Sequence, residues 1–186
     1  MFNKNMTIEN GICYFDVVGS TNDEAKELAQ AGAQSGTVVV AFEQTKGRGR
    51  PHSRLFFTKE ARKWYSPAKE GLYFSIIIRP KSALQDLKEY VRRSAEVICA
   101  SISKNLAIKI DIEWPNDLLI DGKKVGGILL ESVIRGEKSS FLILGLGLNL
   151  NQERFPPDLK NAAISFYQKT GKKYDIKEVA QKLKEG

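Results

Sequence analysis

Lys46-Gly47-Arg48-Gly49-Arg50 sets two guanidinium groups and an ammonium group on a backbone freed by two glycines. Such a loop can fold over an anion, offering main-chain N–H groups together with bidentate side chains. It leaves the apolar run Thr37-Val38-Val39-Val40-Ala41-Phe42, which reads as a buried strand. A cationic glycine loop at the end of a core strand points to a phosphate or carboxylate site; a solvated basic loop is the plainer alternative. Ser20-Thr21-Asn22 offers three small hydrogen-bonding side chains at a helix start, and an N-cap accounts for only one of them. Gln44 stands just before the glycine loop. Trp114-Pro115-Asn116-Asp117 interrupts a strand pattern, losing a ladder bond at Pro115 and placing an amide beside a carboxylate. Gly126-Gly127, after Lys124, and the alternate glycines of Gly145-Leu146-Gly147-Leu148-Asn149 remove side chains where a ligand or backbone can come close. Asn149 shares the face of Gly147. Taken singly, each glycine pair is more often a packing feature than a binding one.

The elements that must hold these residues follow from periodicity and turn chemistry. A short strand, Ile12 to Val17, leads into a helix whose Thr21 and Glu24 have capping-box spacing, with Ala25, Leu28 and Ala29 as its stripe and Gly32 as its stop. Gly71 to Ile78 reads as a second core strand, closed by Pro80. The longest helix runs from Ala83 to about Leu106, with Leu84, Leu87, Val91, Ala95, Ile98 and Ile102 at helical spacing. Ile108 to Glu113 and Asp117 to Ile120 read as strands around the Trp114-Pro115-Asn116 break. Asp121-Gly122 marks a type I′ hairpin, and Val125 to Ile134 and Phe141 to Asn149 complete a mostly antiparallel run. An amphipathic helix begins at Asp175 and is still running where the sequence stops. No repeat, low-complexity tract or linker divides the chain, so residues 1–186 are expected to form one domain.

Bulk properties narrow the class. The chain has 186 residues, 42% apolar and 27% charged, which suits one soluble globular domain. Its net charge of +7 favours an anionic partner without choosing among nucleotide, nucleic acid and acidic protein. Cys13 and Cys99 are too few for a disulfide framework, and Cys99, in an apolar run, reads as a buried thiol. One histidine, His52, excludes a multi-histidine metal site within one chain. Without a signal-like segment or an apolar stretch of membrane-spanning length, a cytoplasmic protein with no membrane partner is expected.

In register, the motifs stop being generic. Gly19-Ser20-Thr21-Asn22, Gln44 with Gly47-Arg48-Gly49-Arg50, Arg62-Lys63-Trp64-Tyr65-Ser66-Pro67, Trp114-Pro115-Asn116-Asp117, Lys124-Val125-Gly126-Gly127-Ile128-Leu129 and Gly145-Leu146-Gly147-Leu148-Asn149 strongly resemble the biotin protein ligases over about residues 12–150. The resemblance implies an α+β, class II synthetase-like ligase domain: a mixed, mostly antiparallel sheet backed by helices. It implies formation of biotinyl-5′-AMP from biotin and ATP with Mg²⁺, then transfer of biotin to a lysine of a biotin carboxyl carrier protein of a carboxylase. Carried over residue by residue, Ser20, Thr21, Asn22, Gln44, Arg48, Gly49, Arg50, Lys124, Gly126 and Gly127 are expected to bind biotin. Arg48, Arg50, Arg62, Trp64, Asn116, Lys124 and Asn149 are expected to bind ATP or the adenylate, with Trp64 stacking on adenine and Asn149 at its edge. Arg48, Arg50, Lys124 and Asp117 are the expected catalytic set. Asp117 is left with several roles: orienting Lys124, holding Mg²⁺, helping deprotonate the incoming amine, or capping a turn. The glycine loop is the expected lid over a water-sensitive mixed anhydride.

Two departures from the family pattern stand out. Pro51 and His52 follow Arg50, and the stretch Ser53 to Ala61 delays Arg62-Lys63-Trp64. Its Leu55-Phe56-Phe57 would need cover from the chain's own core, from a second subunit in a homodimer, or from the carrier. The family's small C-terminal barrel is absent from the sequence, as is the winged-helix module of some members, so DNA binding is not expected. Two other readings stay beside the ligase. One is a protein that binds biotin or its adenylate without efficient transfer. The other is a nucleic-acid module using Gly47-Arg48-Gly49-Arg50-Pro51 as a minor-groove hook, although such hooks sit in disordered chain and this run joins two core strands.

Overall fold

A computed structural model describes residues 6–49, 63–80, 87–133 and 141–186. Within them the strands are β1 (Met6–Glu9), β2 (Ile12–Val18), β3 (Val38–Gln44), β4 (Gly71–Ile78), β5 (Asp111–Glu113), β6 (Asp117–Ile120), β7 (Lys123–Val133) and β8 (Phe141–Asn149). They form one open sheet in the order β1-β2-β3-β4-β8-β7-β6-β5. Among these strands only β2 and β3 pair in parallel, joined through helix α1 (Thr21–Gln30). The mixed, mostly antiparallel α+β architecture is the one expected.

Side-chain alternation sorts the sheet into two buried faces. Ile12 and Tyr14 on β2 and Val38 and Val40 on β3 join a core cluster with Ala95 and Ile102 of α2 (Leu87–Leu106) and Val179 and Ala180 of α4 (Ile176–Glu185). Their neighbours Cys13, Phe15, Val39 and Ala41 point the other way, against Ala25 and Ala29 of α1. Both faces of β3 are therefore covered, which is why its sequence is an unbroken apolar run. Each fully buried Val or Ile contributes roughly 1.5–3 kcal/mol, so the central strands are a rigid base for the site.

Several boundaries differ from expectation for local reasons. β1 was not foreseen; it is short and mostly exposed, and it returns into β2 through Asn10-Gly11, both at positive φ (50° and 71°). The stretch Ile108–Glu113 pairs only from Asp111, because Ile108 and Ile110 are buried in the main core ahead of the β5–β6 ladder. A further helix, α3 (Phe166–Thr170), is closed by a Ser165–Gln168 capping box and by Gly171 at φ 72°. Ser20, not Thr21, occupies the N-cap position of α1, and it makes no side-chain cap bond. Cys99 is half-buried on α2 rather than buried, and burial still pushes its thiol up to about 11. Residues Ala83–Asp86 of the expected long helix, and Ile134, lie outside the described residues. Among the described residues, no helix is long and apolar enough to cross a membrane.

Candidate functional site

The site lies on the α1 face of the sheet, where side chains are missing. Gly127 on β7 pairs with Gly147 on β8, and Gly147 pairs with Tyr73 on β4. One step along, Leu129 pairs with Gly145, which pairs with Ser75. Gly127, Gly145 and Gly147 together leave a floor of bare backbone under a cavity of about 50 Å³. Two side chains rest on that floor. A Cβ at Gly147 would stand 2.7 Å from Nε1 and Cε2 of the Trp64 indole, and one at Gly145 would collide with Oδ1 of Asn22. Trp64 Nε1 is buried and has no hydrogen-bond partner among the described residues.

One wall is the turn into α1, where Ser20, Thr21 and Asn22 are all buried. Gln44 Oε1 accepts from Thr21 N at 2.8 Å and from Thr21 Oγ1 at 3.1 Å. The amide of a distant strand thus satisfies an orphan donor of the helix, and Ser20 Oγ is left without a cap bond. Ser75 Oγ lies 2.8 Å from Thr21 Oγ1 and 2.6 Å from Asn22 Oδ1, inside the core. Asn22 Nδ2 donates to Glu131 Oε2 at 2.6 Å. Both ends of the Asn22 amide are therefore engaged by protein.

The two halves of the interrupted glycine motif meet. Trp64 N donates to Gly47 O at 2.9 Å, and Arg48 and Lys63 form an antiparallel bridge. Arg48 turns its guanidinium fork onto Asp23 in the first turn of α1, at 2.6 and 2.8 Å, with Glu131 Oε1 at 3.4 Å. Hydrogen bonding from Arg48 holds the Asp23 carboxyl below the usual carboxylate range, and the same contact pushes Arg48 up. Lys26 Nζ sits 3.2 Å from Glu131 Oε2, so two cations face two carboxylates.

Lys124 reaches the pocket through a bulge. Leu118 pairs with Gly126 but Leu119 pairs with Lys124, so Val125 is an extra residue on β7. Val125 joins the opposite core, and a Cβ at Gly126 would also point that way, 2.6 Å from Leu148 Cδ2. The bulge restores Lys124 to the face of Gly127, which a regular strand would deny to residues three apart. Lys124 Nζ lies 2.7 Å from Asp117 Oδ2 and 5.5 Å from the centre of the Trp64 ring. Asn116 Nδ2 donates to Asp117 Oδ1 at 2.8 Å.

Residues 14–149 match the model of the biotin/lipoate A/B protein ligase family. The chain belongs to that family. It is 38% identical over 174 residues to the bifunctional ligase/repressor BirA of Bacillus subtilis, covering 92% of this chain and 51% of that one. Over 133 residues it is 34% identical to the biotin–[acetyl-CoA-carboxylase] ligase of Paracoccus denitrificans, covering 70% of this chain and 51% of that one. Among solved structures it is similar to the biotin protein ligase from Aquifex aeolicus in complex with biotin and ATP. That match has a TM-score of 0.76 and 33% identity, over 95% of this chain and 68% of the other. The chain spans about half the length of the curated relatives it matches.

The pocket of this family member gathers Ser20, Thr21, Asn22, Gln44, Arg48, Gly49, Trp64, Asn116, Lys124 and Gly127 from the expected set. Asp117 stands behind it, paired with Lys124. Two expected residues are placed otherwise. Gly126 faces the core on the far side of the sheet, as strand alternation places the neighbour of Gly127. Asn149 is buried, and its amide donates to Ile164 O at 3.1 Å and Lys124 O at 3.4 Å, so it braces the segment beside β7 and does not line the cavity. Arg50, Arg62 and the inserted Pro51–Ala61, including Leu55-Phe56-Phe57, lie outside the described residues. Ser75, Asp23 and Glu131 were not foreseen. A lone serine inside Gly71–Ile78 and a lone carboxylate inside an apolar strand were the available signals.

Gly126→Ala should therefore destabilise the fold by about 1–3 kcal/mol through overpacking. Gly127→Ala, whose Cβ meets Lys124 and Trp64 only at 3.5 Å, should stay within about 0.5 kcal/mol. Denaturant midpoints of the two variants check this, and equal losses would contradict the assignment of faces. The Asp23–Arg48 pair sets an acid limb. Because the folded Asp23 pKa is depressed, its stabilisation is present above the unfolded value of about 3.9 and fades as pH falls through the folded one. The stability gap between wild type and Asp23→Asn should be constant above about pH 5 and shrink below about pH 4. A gap that persists at about pH 2 would contradict the pairing.

Proposed function

We propose that this chain catalyses ATP-dependent biotin ligation, forming biotinyl-5′-AMP and transferring biotin to a lysine of a biotin carboxyl carrier protein. The observation that carries the reading is one pocket in which a polar helix-start turn, a bare glycine floor and a bulge-directed lysine converge. Similarity to a biotin protein ligase in complex with biotin and ATP supports it. Ser20, Thr21 and Gln44 present hydroxyl and amide groups to the ureido ring, and groups left unpaired there would reject analogues lacking it. The apolar bicycle takes the glycine floor. At about 50 Å³ the cavity is far below the ~300 Å³ of small-molecule pockets, so the Trp64 indole gives up the floor and stacks on the ligand.

In the first step a biotin carboxylate oxygen bonds to the α-phosphorus of ATP, the bond to the bridging oxygen breaks, and pyrophosphate leaves. Two anions must meet, so alignment and charge neutralisation lower the barrier. Lys124 supplies an ammonium at the reacting end, held in place by Asp117. Arg50 and Arg62 are assigned to the phosphates on family resemblance, together with Arg48 once its fork turns from Asp23. Asn116, which lines the cavity, is assigned to the nucleotide on family resemblance. Mg²⁺ bound with ATP would shield phosphate charge; Asp117 would be its carboxylate ligand only after giving up Lys124 or Asn116. In the second step the acceptor amine attacks the acyl carbon, AMP leaves, and the amine loses its proton, for which Asp117 is the nearest carboxylate to Lys124. The work of such a protein is cytoplasmic, where carboxylases and ATP meet.

Pyrophosphate release on mixing the chain with biotin and ATP tests the reading. Lys124→Ala should slow that release by about 10²–10³-fold. It should also leave stability within about 1 kcal/mol, since it removes one partly exposed ion pair. A wild-type rate in that variant would remove Lys124 from the mechanism, and no release by the wild-type chain would overturn the function.

A further inference from the structure

We infer that Glu131 is a positioning residue for the ligation proposed above: one carboxylate fixes both the biotin-side turn and the glycine loop. The inference rests on that reading of the pocket. Glu131 pairs with Ile143 on β8, four residues beyond Gly127, so its side chain rises on the α1 face just behind the floor. It does not line the cavity, and its side chain is 24% exposed. Among the described residues three donors converge on it, two from one face of α1 and one from the glycine loop. Asn22 Nδ2 is 2.6 Å from Oε2, Lys26 Nζ is 3.2 Å from Oε2, and an Arg48 terminal nitrogen is 3.4 Å from Oε1.

The two tethers act on opposite ends of the pocket. Asn22 is buried and lies against Gly145, with Oδ1 held by Ser75. Without Glu131 its Nδ2 loses the acceptor that fixes it, and a buried donor left unpaired seeks another arrangement. The floor and the adjoining Ser20-Thr21 turn then shift together. Arg48 stands at the foot of the glycine loop, where Gly47 and Trp64 are joined. With Glu131 gone, Asp23 is the carboxylate that Arg48 and Lys26 share among the described residues. A carboxylate suits this position because it accepts from all three and donates to none; an amide would keep Asn22 but turn its own N–H₂ towards a cation.

The test measures biotin affinity by calorimetry and the pyrophosphate-release rate at saturating substrates. Glu131→Ala should raise the biotin Kd about tenfold or more, as expected for loss of a charged hydrogen bond. The double variant Asn22→Ala with Glu131→Ala should bind no more weakly than Asn22→Ala alone, because the effect passes through Asn22. Glu131→Gln should hold the biotin Kd within about twofold while slowing pyrophosphate release about tenfold, separating the two tethers. If Glu131→Ala does not fold, the rate–affinity split in Glu131→Gln decides alone. Wild-type affinity and rate in both single variants, with only a lower melting temperature, would make Glu131 a structural ion-pair partner and overturn the inference. Additive losses in the double variant would overturn it as well. A wild-type chain that binds no biotin overturns the proposed function and the inference together, whereas an active wild type without the split overturns the inference alone.

Discussion

The cross-strand pair Gly127–Gly147 is the constraint on which the pocket depends. Around it, both faces of the sheet are covered, α1 on one side and α2 with α4 on the other. Beneath the pocket the strands carry no side chains, and that gap is floored by backbone. The helix start, the glycine loop and the Trp64 indole all take their places relative to it. Add a methyl group to Gly147 and the indole has nowhere to lie. A pocket of this kind is made by subtraction, which requires a rigid surround; the largely buried strands β3, β4 and β8 supply it.

Charge is arranged around the gap in balanced sets. Arg48 and Lys26 face Asp23 and Glu131, while Lys124 faces Asp117. None of these pairs is deeply buried, so their worth lies less in stability than in where they hold a cation. The two-pronged contact with Asp23 keeps the Arg48 guanidinium beside the pocket, turned away from it. The Lys124 ammonium, braced by Asp117, which Asn116 holds in turn, is aimed at the pocket itself. Preorganised charge at Lys124 suits the proposed ligation, which must bring two anions together, because little reorganisation remains at the transition state.

Much of this was readable in the chain and some was not, for identifiable reasons. Motifs whose chemistry is local were readable: the Ser20-Thr21-Asn22 turn, Gly47-Arg48-Gly49, Lys124 and the alternating glycines of β8 converge as expected. So were strands with strong alternation or unbroken apolar runs. The bulge at Val125 was not, because it depends on pairing between β6 and β7, and it is what brings Lys124 to the face of Gly127. Asn149 has the right parity but is captured by the backbone of Ile164, a contact that no spacing announces. Ser75, Asp23 and Glu131 act through partners 25 to 109 residues away. Asn10-Gly11 carried the same turn signal as Asp121-Gly122, but the β1 strand beside it is too short and exposed to show a pattern of its own.

The central claim is that the helix-start turn, the glycine floor and Lys124 form one continuous seat running from a ureido ring to an acyl phosphate. A crystal structure of the chain grown with biotin and ATP tests it most directly. The account predicts the ureido ring within about 3 Å of Ser20 and Thr21 polar atoms, the bicycle over Gly127 and Gly147, and the carboxylate or acyl phosphate beside Lys124 Nζ. Ligand density bound elsewhere, with Trp64 still on the glycine floor and Lys124 touching only Asp117, would contradict it.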